Sequence, residues 1–221
     1  KILEYILSGN EIDEKKYDEM YEEKLIAHNL KASKEQILDD LKGFMSPLQR
    51  RMLKELLQHL DELNVHIENL NDEIDNFMKP EEKQASQVIQ DVTGIGNTSA
   101  QTIIAVIGTD MERFPSDRHI SSWAGLCPGD NVSAKKRKSG KIRKGNALLK
   151  STLVLCAHAA VRHKSSYFHA QFKRISTHRG KKRAYVAVAH SILIAIYHIL
   201  KDGVKYQDLG AEYYNQFNAE R

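Results

Sequence analysis

The sequence predicts an all-α protein, built as a helical, coiled-coil arm followed by a compact helical domain with a helix-hairpin-helix-like element. Three observations carry that prediction. Apolar residues recur at spacings of three and four through most of the chain. Alternating β-branched runs are scarce. Only four prolines and twelve glycines interrupt 221 residues, so long helices have few forced breaks.

Charge divides the chain. The formal total is +4. Residues 1–90 hold 12 Lys/Arg against 20 Asp/Glu, while residues 91–221 hold 21 against 9. An acidic half therefore precedes a strongly basic one, and the basic half points to a polyanionic partner, most often nucleic acid. Two isolated cysteines, Cys127 and Cys156, exclude a disulfide scaffold and offer no zinc-ligand spacing. No uninterrupted run of 18 apolar residues is present, which argues against a membrane span. Nor does a basic-then-apolar leader open the sequence. It begins at Lys1 inside a helical pattern and reads as an intracellular piece of something longer.

In the arm, residues 1–86, short helices are expected at Lys1–Leu7, Glu11–Leu25 and Lys34–Leu41, the last with Ser33 as N-cap. Ser46 followed by Pro47 is a strong start signal. From there Leu53, Leu56, Leu60, Leu63, Ile67, Leu70, Ile74 and Phe77 alternate by three and four, a heptad seam on a helix of about residues 47–78. At 1.5 Å per residue that helix is ~48 Å long. The seam needs a helical partner, either an earlier helix of the same chain or the same helix of a second subunit. The second is favoured, with Leu56, Leu60, Leu63, Ile67, Leu70 and Ile74 as the dimer seam. Pro80–Ser86 reads as a polar connector.

The second domain, residues 87–221, opens on VIQDVTGIGNTSAQTIIAVIG (Val88–Gly108). One helix ends near Asp91 and another starts near Thr98. Gly94 and Gly96 allow a tight turn close to a phosphate, and the N–H groups at Asn97 and Thr98 can receive the anion. An ordinary αα-hairpin is the plain alternative. Arg118–Ala124 is a short helix in which Trp123 is a core anchor rather than a base-stacking platform.

Asp130–Gly145 (DNVSAKKRKSGKIRKG) is the densest feature. Lys135, Lys136, Arg137, Lys138, Lys141, Arg143 and Lys144 crowd ten positions with almost nothing apolar to bury, so a surface loop or short hairpin is expected. Such a run is costly unless phosphates neutralise it. Asn146 and Lys150 extend the patch, and Arg179, Lys181, Lys182 and Arg183 form a second basic turn. Ser133 and Ser139 lie in the first stretch; from chemistry alone, phosphate binding or plain solvation suits them better than nucleophilic attack. Ala147–His163 is the central buried helix, with Cys156 an inert core thiol and His158 touching a neighbouring backbone group. Tyr167–Thr177 and Ala184–Leu200 follow, and a short tail through Tyr213 and Tyr214 packs back on the domain.

Taken together, TGIG with SAQTIIAVIG, DMERFPSDRHISSWAGLCPG, NVSAKKRKSGKIRKGNALLK and RGKKRAYVAVAHSILIAIYHILKDGVKYQDLGAEYY closely resemble the C-terminal domain of a large group of bacterial insertion-sequence transposases. These pair an N-terminal RuvC-like DEDD domain with a C-terminal serine-bearing domain, and include bridge-RNA-guided members. The resemblance implies that Ser133, five residues after Pro128, is the catalytic serine that links covalently to DNA during strand exchange. Residue 134 is Ala where the family often carries Gly. It further implies DNA as partner, a guide RNA for the guided members, homo-oligomerisation through the arm, no membrane, and a bacterial, cytoplasmic, nucleoid-associated location. A divalent metal, Mg²⁺, is expected in the DEDD domain and none in this piece, whose acids sit on helices. The fragment alone is expected to bind nucleic acid without cutting it. Competing readings are a non-catalytic DNA- or RNA-binding module and, with less support, a purely structural dimerisation protein.

Overall fold

The structure is a computed structural model, and it describes residues 2–8, 12–26, 31–41, 46–127, 131–133, 136–139, 142 and 144–214. Their regular elements are helices apart from one short two-stranded ribbon, in agreement with the predicted all-α class. The chain falls into two compact units, Lys1–Glu73 and Ile74–Arg221.

In the first unit, helices α1 (Ile2–Leu7), α2 (Glu14–Glu22) and α3 (Lys34–Leu41) precede the long α4 (Pro47–Phe77). The Asp13 carboxylate caps α2 by accepting the Lys16 N–H at 2.8 Å. Ser33 and Gln36 form a reciprocal capping box on α3, and Ser46 and Gln49 repeat it on α4. Ile12, Tyr17, Met20, Ile26 and Leu38 bury one another in a small core.

No residue of α4 is buried. Its six predicted dimer-seam residues lie open, from 45% exposure at Ile74 to 64% at Leu56. Among the described residues, the small core of the earlier helices includes none of the seam positions.

The second unit is a helical bundle. Its helices are α5 (Pro80–Ile89), α6 (Asn97–Ile107), α7 (Asp117–Trp123), α8 (Ala147–Arg162), α9 (Tyr167–Arg179) and α10 (Lys181–Asp202), with a 3-10 turn at Met111–Arg113. Strands β1 (Asn131–Ser133) and β2 (Lys136–Ser139) pair antiparallel between α7 and α8. Residues 80–86, expected as a polar connector, instead form the first turns of α5. Pro80 sits where a helix needs no N–H, the Lys79 N–H donates to Glu82 Oε2 at 2.9 Å, and Ala85 and Ser86 are buried.

The core runs through Ile89, Val92, Ile103, Ile104, Ile107, Ile120, Leu149, Leu153, Val188, Ile192, Leu193 and Ile196. Helix α10 is long and apolar enough by composition to cross a membrane, contrary to the sequence expectation that no segment is. Its apolar positions are instead spent on this core, where Val188, Ala189, Ile192, Leu193 and Ile196 are fully covered. Trp123 corrects a second expectation. Ile120 and Ala124, one turn apart, take the buried face of α7, leaving Trp123 42% exposed and leaning on Phe114 with ring centres 5.5 Å apart.

Candidate nucleic-acid interface

Helix α8 organises the features that the sequence singled out. The basic segment enters and leaves at its N-terminal end. A Cβ on Gly145 would lie 2.3 Å from Gly125 N and 2.5 Å from Ala124 C, so only glycine lets the two ends close together. The Asn146 N–H donates to the Trp123 carbonyl at 3.3 Å, fastening that closure. Asn146 Oδ1 then accepts the Leu149 N–H at 2.9 Å and starts α8. Its side chain is thus a helix cap as well as a neighbour of the basic run.

Between these ends runs the ribbon. Ser133 stands opposite Lys136, Val132 opposite Arg137 and Asn131 opposite Ser139, with a bulge between Asn131 and Val132. The hairpin alternative for this segment is therefore the observed one, and Ser133, Lys136, Arg137 and Lys138 occupy its two strands. Lys135, Lys141 and Arg143 lie outside the described residues. Lys144 is exposed at the exit, and Lys150 is half-buried one turn into α8.

The glycine turn packs against the same helix further along. Gly94 has φ +95°, and a Cβ there would fall 2.5 Å from the Cys156 carbonyl oxygen and 2.6 Å from Ala160 N. Its lack of a side chain serves close packing on α8 as well as the turn. Gly96 differs. It faces open space and is the N-cap of α6, with Asn97 and Thr98 exposed beside it. From Asn146 to Cys156–Ala160 is about ten to fourteen residues of helix, or ~15–21 Å, which separates ribbon root from glycine turn along one rigid rod.

Cys156 is buried, and burial pushes its thiol pKa up, consistent with the expected inert core cysteine. His158 sits elsewhere than expected. Its ring stacks on Tyr185 of α10 at 3.6 Å, rather than on a backbone group. The second basic stretch is two helix ends around Gly180 (φ +80°), with Arg179, Lys181, Lys182 and Arg183 all exposed.

One residue that sequence reasoning passed over ties the tail to this arrangement. Asp208 Oδ1 accepts the backbone N–H of Tyr167 and of Gly210, each at 2.8 Å. Its Oδ2 accepts the hydroxyls of Tyr206 at 3.1 Å and of Thr93 at 3.2 Å. The last of these joins the tail to the glycine turn. Burial alone would raise this carboxyl. The N–H donors and the two hydroxyls outweigh it and leave the pKa below the usual carboxylate value. Burial and the adjacent Asp208 charge push the Tyr206 phenol well up. The Asp208–Gly210 spacing is an Asx-turn signal that the sequence does carry. Around it, Tyr214 OH donates to Tyr167 OH at 2.8 Å and the Arg174 guanidinium lies 4.7 Å from the Tyr214 ring centre. Among the described residues no three His, Cys, Asp or Glu side chains converge as a metal site.

Residues 86–173, which hold the glycine turn, the ribbon and all of α8, match the family described as Transposase IS116/IS110/IS902. The chain is 32% identical over 108 residues to the transposase for insertion sequence element IS1111A of Coxiella burnetii, covering 47% of this chain and 29% of that protein. It is 28% identical over 135 residues to the insertion element IS110 uncharacterized 43.6 kDa protein of Streptomyces coelicolor, covering 58% and 31%. The matches thus span under a third of the length of these curated relatives.

Proposed function

We propose that this chain is the DNA-binding, serine-bearing C-terminal part of an insertion-sequence transposase, with Ser133 as the nucleophile of strand cleavage. The observation that carries the reading is the ribbon. Ser133 is paired in register with Lys136, among the densest cations of the sequence, within the stretch that matches the transposase family. In the proposed step the Ser133 hydroxyl oxygen attacks phosphorus and its proton passes to solvent. A bond from serine to phosphorus forms, one bridging bond from phosphorus to a sugar oxygen breaks, and the departing oxygen is protonated. Nearby cations stabilise the charge that builds on the phosphoryl oxygens. Gly96, Asn97 and Thr98 form the backbone-gripping end of a helix-hairpin-helix element, and Arg179, Lys181, Lys182 and Arg183 add phosphate contacts. The ribbon cations would also serve a guide RNA.

The described residues form no metal cage. In this proposal Mg²⁺ belongs to an acidic domain outside this chain, which alone binds nucleic acid in the bacterial cytoplasm without cutting it. The open seam of α4 pairs with a second copy of itself.

The test compares Ser133→Ala with Lys138→Ala in the full-length protein. S133A should abolish strand cleavage and retain binding. K138A should weaken binding and lower its salt dependence. Cleavage by S133A would overturn the serine mechanism and leave a non-catalytic clamp.

A further inference from the structure

The stacking of His158 extends beyond one pair. Tyr185, against which it lies at 3.6 Å, also meets Phe172 of α9 with ring centres 4.5 Å apart. Three helices therefore contribute one ring each to a short aromatic ladder. Its two inner rungs, Tyr185 and Phe172, are half-buried, while the outer rung His158 is exposed. Stacking for packing alone would place the outer rung inside; the core of this unit is instead filled largely by aliphatic side chains.

The surroundings are basic. Arg162 follows His158 by one turn of α8, and Lys181 and Lys182 precede Tyr185 by one turn of α10, so helix periodicity places them on the faces that carry the rings. All three cations are exposed. Leu155, one turn before His158, adds an apolar edge at 67% exposure. An open π-face bordered by cations is the arrangement that takes bases of a single strand, because every base offers a π-face once it leaves the duplex stack. The rings are already ordered against one another, so little side-chain freedom is lost on binding. Base pairs inside a duplex present their faces only to each other, so apart from its two end pairs a duplex has nothing to lay on it.

We propose that His158, backed by Tyr185 and Phe172 and flanked by Arg162, Lys181 and Lys182, is a docking platform for an unstacked nucleobase of single-stranded nucleic acid. It is distinct in chemistry from the Ser133 ribbon and rests on the reading of this domain as nucleic-acid-binding.

The experiment measures binding of the 221-residue chain to oligo-dT, to oligo-U and to a blunt duplex, each of about 20 nucleotides or base pairs. His158→Ala should weaken single-strand binding about tenfold, ~1.4 kcal/mol, and leave the duplex within about twofold. His158→Phe, which keeps a stacking ring, should restore it. Whichever of oligo-dT and oligo-U loses more identifies the strand the platform takes. Lys181→Ala with Lys182→Ala should weaken all three ligands and flatten their salt dependence. Unchanged single-strand affinity in H158A, or an equal loss on duplex, overturns the platform. A wild-type chain that binds the duplex but not single strands also overturns it. One that binds none of the three overturns the nucleic-acid reading beneath it. A melting temperature of H158A within a few degrees of wild type separates these outcomes from misfolding.

Discussion

Helices α4 and α10 are the two longest of the molecule, and they use their apolar residues in opposite ways. Helix α4 has 31 residues and buries none of them. Helix α10 has 22 and buries eight, six of them completely: Ala184, Val188, Ala189, Ile192, Leu193 and Ile196. The difference follows from pattern. A 3–4 alternation on α4 gives a narrow stripe flanked by charge, suited to one parallel or antiparallel helix. Helix α10 is apolar over several faces and is satisfied only when surrounded. Helices α8, α9, α7 and α5 provide that enclosure. The contrast teaches that hydrophobic periodicity states how many neighbours a helix needs, while leaving open whether they belong to the same chain.

The comparison can be broken most forcefully in the core. Leu193→Ala on α10 should cost about 2–5 kcal/mol in chemical denaturation, since the cavity left in so enclosed a site cannot fully collapse. Gly94→Ala should follow at about 2–3 kcal/mol, because the new Cβ meets the backbone of α8 and φ is positive. Gly96→Ala, facing open space, should lie within about 1 kcal/mol of wild type. A melt that ranks Gly96 above Gly94 would contradict the packing described.

On α4 the expected effect is on association. Changing Leu63 and Leu70 to Ser should leave the fold intact and shift the chain to monomer in analytical sedimentation. A chain that is monomeric before the change removes the second-copy partner from consideration.

The smallest effect is the pH response of Asp208. Its pKa is lowered on folding, so its stabilisation is fully present above the ordinary carboxylate range and is lost as pH falls through the lowered folded value. The melting deficit of Asp208→Asn should therefore be largest near pH 7 and narrow towards about pH 3. A deficit that widens on acidification would reverse the assigned direction.

Much of the fold was legible because its signals are local. Ser33 and Ser46 as caps, Pro47 at a helix start, the heptads of α4 and the glycines around α6 all act within a few residues. Residues 80–86 misled because their polarity conceals that Ala85 and Ser86 face inward. Trp123 misled because size suggests burial, whereas Ile120, Ser121 and Ala124 take the inward face of this two-turn helix. The site divides in the same way. Clustered cations and the serine among them are visible in order along the chain. The closure of Gly125 on Gly145 is not, nor is the bond from Asp208 to Thr93 across 115 positions, nor the ring of His158 on that of Tyr185.

By itself, the sequence determined the helical class, the charge split between its two halves, the heptad pattern and the clustered cations with Ser133 among them. Each depends on composition or spacing over a turn or two of chain, where covalent geometry fixes what neighbours what. Only the tertiary structure decided that α4 stands open while α10 is enclosed, and that Gly94 packs on α8 while Gly96 faces outward. It likewise made Asp208 the hinge-pin of the tail. Those outcomes rest on contacts between residues far apart in sequence, and such contacts exist only once the helices have packed.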